Sequence, residues 1–260
     1  MKINIVYNKY IPKYEDALNT LEAAFEKLGV AFKCFDLDGM DNFGDITIAI
    51  GGDGTILRTA RFYSENRIPV FGVNMGRLGF LSQVNREKID FIVDMLMSSK
   101  WKTEERLMLC SDKYIALNDF VIKGCDPATA TKFFLEINGK CVCDYIADGL
   151  IISTPTGSTA YGLSAGGPVV YPVLDVIIIV PICPHTLNVR PLVVPSTEQI
   201  TVKSADKHLS LSADGYDTIK CTDKIDITTC EKKAILMFPK DDSFYEVLRN
   251  KLHWGISPEK

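Results

Sequence analysis

Apolar residues recur at two different spacings in the two halves of this chain. In roughly the first hundred residues, short apolar runs alternate with stretches of helical period. Ile3 to Tyr7 predicts a buried strand, and Leu18, Leu21, Phe25 and Leu28 then recur at three- and four-residue steps up to Gly29. Ala31 to Phe35 and Ile46 to Ile50 predict two more strands. Ile46-Thr47-Ile48-Ala49-Ile50 is β-branched and nearly all apolar, as a central parallel strand covered on both faces must be. A helix from about Thr55, a strand at Val70 to Val73 and a helix at Ile89 to Met97 complete the alternation. Together they predict an open, mostly parallel α/β sheet.

After about Trp101 helical periodicity gives way to short β-rich segments. Phe133 to Ile137 and Lys140 to Tyr145 flank Asn138-Gly139, a strong two-residue hairpin signal. Further strands are expected at Leu150 to Ser153, Val176 to Val180, Leu192 to Val194, Ile200 to Val202, Leu209 to Leu211 and Ala234 to Phe238. This texture predicts a β-sandwich or a folded-over sheet. Helical spacing returns at Ser243 to His253, with Phe244, Val247, Leu248 and Leu252 on one stripe. The expected division is 1–100, an α/β domain; 101–240, a β-sandwich domain; and 241–260, a C-terminal helix.

Composition narrows the picture modestly. The chain has 260 residues and a net charge of -4, too acidic for a protein that neutralises nucleic-acid phosphates with a basic face. That balance leaves small phosphorylated ligands open, since a few local groups suffice for them. No apolar run approaches the roughly 18 residues that cross a bilayer, and the N-terminus turns polar too soon for a signal peptide. A cytoplasmic protein with no membrane partner is expected. Eight cysteines are present, but only Cys141 and Cys143 are neighbours, and one intervening residue is not zinc-knuckle spacing. All eight are expected to be reduced and to serve as small hydrophobes. His185, His208 and His253 form no ligand pattern.

Four segments carry candidate chemistry. Gly51-Gly52-Asp53-Gly54-Thr55 follows the buried strand and opens a helix, where backbone N–H groups can hold phosphate oxygens. A carboxylate beside a polyphosphate is repelled unless it meets a bridging Mg²⁺ or takes a proton from a hydroxyl, so Asp53 points to phosphoryl transfer. The alternative is a tight turn with Asp53 as a cap. Arg58, one helical turn beyond Gly54, is placed to reach the same phosphates or to lie in solvent. Gly72 to Leu81 is a second glycine-rich strand exit, of structural or functional purpose. Asn118-Asp119 offers donors and acceptors that suit ribose hydroxyls and an adenine edge, or marks a strand-end turn. The densest segment runs from Asp148 to Pro168. Its small hydroxylated residues and glycines suit a dinucleotide's phosphates and ribose, with Tyr161 offering a ring, or they form a loop that is simply flexible.

In order and spacing, Gly51 to Thr55, Asn118-Asp119 and Asp148 to Pro168 resemble the signature segments of the NAD kinases, bacterial type. The likeness extends to Gly72–Leu81, Val180-Pro181, Pro184-His185-Thr186-Leu187, Arg190-Pro191-Leu192 and Leu248–Gly255, and so covers most of the chain. It implies an N-terminal Rossmann-like open parallel sheet domain that binds nucleotide, 1–100, joined to a C-terminal β-sandwich domain, 101–240, with the C-terminal helix, 241–260, returning to the first. It also implies transfer of a phosphoryl group from ATP, or polyphosphate, to the adenosine ribose 2′-hydroxyl of NAD⁺. Mg²⁺ or another divalent cation would accompany ATP, and a homo-oligomer, dimer or tetramer, would be the assembly. The wider superfamily leaves a lipid or sugar kinase as an alternative, and a non-catalytic dinucleotide sensor is a further one.

Carried over by residue, the resemblance makes Asp53 the catalytic aspartate, base or metal-side carboxylate, with Gly54 and Thr55 beside it. It assigns Asn118 and Asp119 to the NAD adenosine and Asp148 to the nicotinamide side. Thr159, Ala160, Tyr161, Gly162, Leu163 and Ser164 form the dinucleotide loop, and Tyr216 contacts the adenosine. Two departures stand out. The pair is usually Asn-Glu, so Asp119 is one methylene short, and Ile146 occupies a position that is often basic.

Overall fold

The chain divides into two units, residues 1–105 with 234–260 and residues 106–233. The computed structural model describes residues 1–76, 79–82, 84–85, 89–126, 129–185, 188–204, 208–220 and 223–255. Arg77 and Leu78 of the second glycine-rich exit, Thr186 and Leu187 of the Pro184 segment, and Cys221 lie outside the described residues.

The first unit begins β1 (Lys2–Tyr7), α1 (Tyr14–Leu28), β2 (Ala31–Asp36), β3 (Ile46–Gly51), α2 (Asp53–Ser64) and β4 (Val70–Asn74). It continues with β5 (Val84–Asn85), α3 (Ile89–Met97) and β6 (Trp101–Arg106). β1 pairs in parallel with β2 and β3, and β3 with β4. The composition of β3 follows from its position. Ile46, Ile48 and Ile50 pack with Leu21 and Phe25 of α1 and Ile92 of α3, while Thr47 and Ala49, pointing the other way, are buried as well. Such a strand tolerates a polar side chain only where it is paired, and Thr47 accepts a hydrogen bond from the Asn4 amide at 3.0 Å. α1 ends where its stripe ends: Gly29 takes φ 65°, and its N–H returns to the Glu26 carbonyl.

The second unit is all-β apart from short helical turns. It holds β7 (Leu109–Ser111), β8 (Tyr114–Ala116), β9 (Asp119–Gly124), β10 (Thr131–Ile137), β11 (Lys140–Ala147) and β12 (Gly149–Ser153). After the single turn α4 (Tyr161–Ser164) come β13 (Val176–Ile182), β14 (Leu192–Pro195), β15 (Ile200–Ser204), β16 (Leu209–Ala213), β17 (Asp217–Lys220) and β18 (Lys224–Thr229). Among the described residues these form two sheets, β11-β10-β15-β18-β7-β8 and β14-β13-β12-β9-β16-β17. Phe133, Leu135 and Val202 of one meet Phe120, Ile122 and Leu150 of the other in a shared core, which makes a β-sandwich. Asn138 and Gly139 both take positive φ, 50° and 73°, as a primed hairpin turn demands. β12 departs from alternation because its outer face is covered too: Ile151 packs with Ile178, Val180 and Val170. The residues after β12 therefore lie against the sheet.

The chain then re-enters the first unit with β19 (Ala234–Pro239) and α5 (Phe244–Leu252). β19 pairs in parallel with β4. Ala234 to Phe238, expected in the sandwich half, lies in the first sheet instead. An apolar run without alternation signals burial on both faces, but it does not name the neighbouring strand. No helix among the described residues is long and apolar enough to cross a membrane.

The cysteines correct a second expectation. Cys110 of β7 and Cys230, just after β18, form a disulfide with Cα atoms 5.2 Å apart. They are 120 residues apart in sequence, but the antiparallel pairing of β7 with β18 brings them together, which spacing along the chain could not show. Cys125, Cys141 and Cys183 are exposed rather than packed as hydrophobes.

Candidate functional site

In the first sheet β1 leads outward to β2, while β3 and β4 lie on its other side. Connections leave the carboxyl ends of β1 and β3 in opposite directions there, and the splayed loops leave a crevice. A cavity of 660 Å³ opens at this point. It is lined by Ile11, Pro12 and Lys13 after β1, Gly52 and Asp53 after β3, Asn74, Met75, Gly76 and Gly79 from the end of β4 onward, and Lys251 of α5.

Gly51 to Thr55 makes the β3–α2 turn. Gly52 is the N-cap and offers no side chain, so the first N–H groups of α2 are left for another acceptor. The Asp53 carboxylate reaches across to the β4 loop. It accepts from the Phe80 N–H at 2.7 Å, the Leu81 N–H at 3.4 Å and the Ser82 hydroxyl at 3.2 Å. Ser82 in turn accepts from the Asn74 amide at 2.7 Å and the Gly79 N–H at 3.1 Å, and Asn74 accepts from the Gly76 N–H at 2.7 Å. At Gly79 an added Cβ would stand 1.6 Å from Asp53 Oδ1. The second glycine-rich exit therefore builds the cage of Asp53.

Gly54 sits in the same first turn of α2. Thr55 is buried, and its hydroxyl accepts from the Asn8 amide at 3.3 Å, tying the β1 loop to the helix start. Arg58 is paired with Asp38 at 2.9 Å and does not line the cavity.

A second group lies at the start of β9 in the sandwich unit. Leu117, Asn118 and Asp119 present three successive N–H groups to the Asp214 carboxylate at 3.0, 2.7 and 3.2 Å. On the other side the Thr154 hydroxyl donates to the Leu117 carbonyl at 2.6 Å, and the Thr154 N–H donates to the Asn118 carbonyl at 2.9 Å. Gly157 packs so tightly that a Cβ would lie 2.1 Å from the Asn118 oxygen. The Asn118 side chain is half-buried and has no partner among the described residues.

Asp119 is only 4% exposed. Burial first, and then the Asp214 charge, push its carboxyl up to about 7. Below about pH 4 the group is neutral in folded and unfolded chains alike. Between about 4 and 7 the unfolded chain ionises first, so stability falls as pH rises and the full cost is present above 7. Asp119→Asn escapes this cost, which amounts to a few kcal/mol. Its melting temperature should therefore gain on wild type by several degrees between pH 5 and pH 8, measured by calorimetry; a constant gap would show that the carboxyl is not desolvated.

A third group surrounds Asp148, which is exposed on a polar cavity of 440 Å³ lined also by Lys123, Asp126, Thr129 and Ser210. Lys123 Nζ stands 6.0 Å from the centre of the Tyr161 ring. Lys123 of β9 and Asp148 line the same cavity, whereas Ile146 carries no charge. Thr159 to Ser164 lead through Ala160 and Tyr161 into α4; Gly162 is buried, Leu163 half-buried and Ser164 exposed. Tyr216 is 60% exposed beside the Asp214-Gly215 turn.

Sequence reasoning did not single out Lys13, Lys251, Ser82, Asn74, Lys123 or Asp214 as site residues. Asp214-Gly215 at least carried a turn signal, whereas the two lysines had none.

The comparisons with known proteins point one way. Residues 23–100 match the model of the ATP-NAD kinase N-terminal domain, and residues 117–237 match that of the ATP-NAD kinase C-terminal domain. The NAD kinase of Geobacter sulfurreducens is 39% identical over 226 residues, covering 81% of this chain and 79% of the relative. The NAD kinase of Clostridium botulinum is 37% identical over 235 residues, covering 85% and 84%. Among solved structures, an NAD kinase from Archaeoglobus fulgidus in complex with ATP aligns with TM-score 0.81 at 27% identity, over 97% of this chain and 99% of that one. Yeast NADH kinase, solved with NADH, shares the fold with TM-score 0.85 at 23% identity, over 100% and 89%.

Proposed function

The chain belongs to the NAD kinase family, and from that premise we propose that it transfers the γ-phosphoryl group of ATP to the adenosine ribose 2′-hydroxyl of NAD⁺, making NADP⁺. The observation that carries the reading is the cavity at the β1/β3 crevice. Asp53 stands there at a helix N-terminus without a side-chain cap, and Lys13 and Lys251 line the same space. Neither Lys13 nor Lys251 has an ion-pair partner among the described residues. A polyphosphate answers every one of these features.

In this reading the donor phosphates lie against the N–H groups of Asp53 and Gly54, with Thr55 bracing the turn and Arg58 held back by Asp38. Polyphosphate would meet the same cations. Asp53 accepts the proton of the 2′-hydroxyl as the new O–P bond forms and the bond from the γ-phosphorus to the bridging oxygen breaks, releasing ADP, or it faces the donor's cation. Asn118, Asp119 and Tyr216 hold the NAD⁺ adenosine, Asp148 the nicotinamide side, and Thr159 to Ser164 the dinucleotide backbone.

No three metal-ligating side chains gather among the described residues, and Asp53 is the one carboxylate lining the cavity. That donor set fits a divalent ion carried mainly by nucleotide phosphates, with Asp53 and the Asn74 amide oxygen as protein ligands. Such an ion would neutralise charge on the phosphates. A cytoplasmic homo-oligomer, dimer or tetramer, is the assembly that family likeness supports, and light scattering on the purified chain checks its mass.

The primary test is incubation with ATP, Mg²⁺ and NAD⁺, with NADP⁺ read by a coupled NADP⁺-specific dehydrogenase. Folded protein that makes none overturns the proposal. Lys251→Ala should raise KM for ATP by roughly tenfold, about one charge-assisted contact, and leave KM for NAD⁺ within about twofold. Lys251→Arg should restore most of the loss. Equal rises in both KM values would remove Lys251 from the donor side.

A further inference from the structure

Asp214 stands at the turn between β16 and β17 with φ 50°, followed by Gly215 at 75°. A left-handed aspartate is uncommon, and here the conformation turns the side chain back into the protein instead of out to solvent. Its two carboxylate oxygens collect the N–H groups of Leu117, Asn118 and Asp119, and its own N–H donates to the Asp119 carbonyl at 3.0 Å. Three consecutive backbone donors converging on one anion form a nest, and each bond to an ionised acceptor is stronger than a neutral one. Thr154 bonds the carbonyls of Leu117 and Asn118 from the other side. Asn118 and Asp119 are thus clamped through their backbones, while the Asn118 side chain has no partner among the described residues.

We infer that Asp214 is a positioning residue: by gripping these three N–H groups it holds Asn118 and Asp119 in the attitude in which they receive the adenosine ribose of the dinucleotide. The inference rests on the assignment of that pair to NAD⁺. Asp214 acts through its neighbours and touches no substrate itself.

The same carboxylate tunes the pair electrically. Among the described residues Asp119 sits in register with Ser153 of β12, which carries only a hydroxyl; burial first, and then the Asp214 charge, raise its carboxyl. An ionised Asp119 accepts from two ribose hydroxyls, while a neutral one offers less acceptor capacity. Affinity for NAD⁺ therefore rises as pH increases through about 7. Removing the Asp214 charge moves that rise to lower pH.

Asp214→Asn replaces one oxygen by an NH₂, which sets donor against donor at one of the three N–H groups. Kinetics and calorimetric NAD⁺ binding, each followed from pH 5.5 to 9, test the idea. For Asp214→Asn we expect KM and Kd for NAD⁺ at least tenfold higher, KM for ATP within twofold, and a binding midpoint at lower pH than in wild type. A merely structural residue would not move that midpoint. Unchanged NAD⁺ affinity, an unmoved midpoint, or equal rises for both substrates overturn the inference. Should Asp214→Asn fail to fold, Asp214→Glu keeps the anion and must still raise KM for NAD⁺ more than KM for ATP; equal rises again overturn it. In wild type, NAD⁺ binding that ignores pH between 6 and 8 does the same. Wild type that makes no NADP⁺ would instead overturn the NAD kinase reading itself.

Discussion

Asp53→Asn is expected to lower kcat for NADP⁺ formation by about a thousandfold while the dissociation constant for NAD⁺ stays within a few-fold of wild type. Two losses combine. The amide neither takes a proton at neutral pH nor carries the charge that a donor-bound cation would meet. It also cannot reproduce the present grip, because one of its two ends is a donor. Asp53 now accepts from two N–H groups and a hydroxyl, and an NH₂ turned to any of them sets donor against donor. Single-turnover rates and calorimetric binding of NAD⁺ separate the outcomes. Parallel loss of rate and affinity would make Asp53 a structural cap of α2, the alternative that the turn allowed from sequence.

Most of the fold was legible because burial dictates composition. β3 advertised its central place through an unbroken apolar run, and Asn138-Gly139 advertised its hairpin through the only dihedrals such a turn accepts. β19 shows the limit. It carries the same kind of apolar run, yet its partner is β4, on the far side of the sandwich in sequence, and no local pattern encodes that pairing. The site divides the same way. Asp53, Asn118 and Asp119 stood in segments whose residue types are unusual for turns. Ser82, Lys13 and Lys251 are ordinary residues made special by what folds next to them. Arg58 shows the converse, since helical spacing put it near the phosphate end and Asp38 claims it instead. The Cys110–Cys230 bond likewise depends on strand pairing across the unit.

Gly79→Ala removes no functional group, and it should nevertheless reduce kcat by a hundredfold or more. The new methyl would lie 1.6 Å from Asp53 Oδ1, well inside contact distance, so either the carboxylate leaves its cage or the loop carrying Phe80, Leu81 and Ser82 withdraws. Both responses strip Asp53 of the bonds that aim it. The effect on stability should be small by comparison, because Gly79 lies in a loop and the two hydrophobic cores of the sheet and sandwich are untouched. A double-mutant cycle decides whether the damage passes through Asp53. If Gly79 matters because it leaves room for that carboxylate, adding Gly79→Ala to Asp53→Asn should cost little further rate, since the aimed group is already gone. If the two losses instead multiply, Gly79 contributes by a separate route, such as shaping the donor cavity that it also lines. Rates of the wild type, both single variants and the double variant, all at saturating ATP and NAD⁺, are enough to tell these apart, with melting temperatures confirming that each protein is folded.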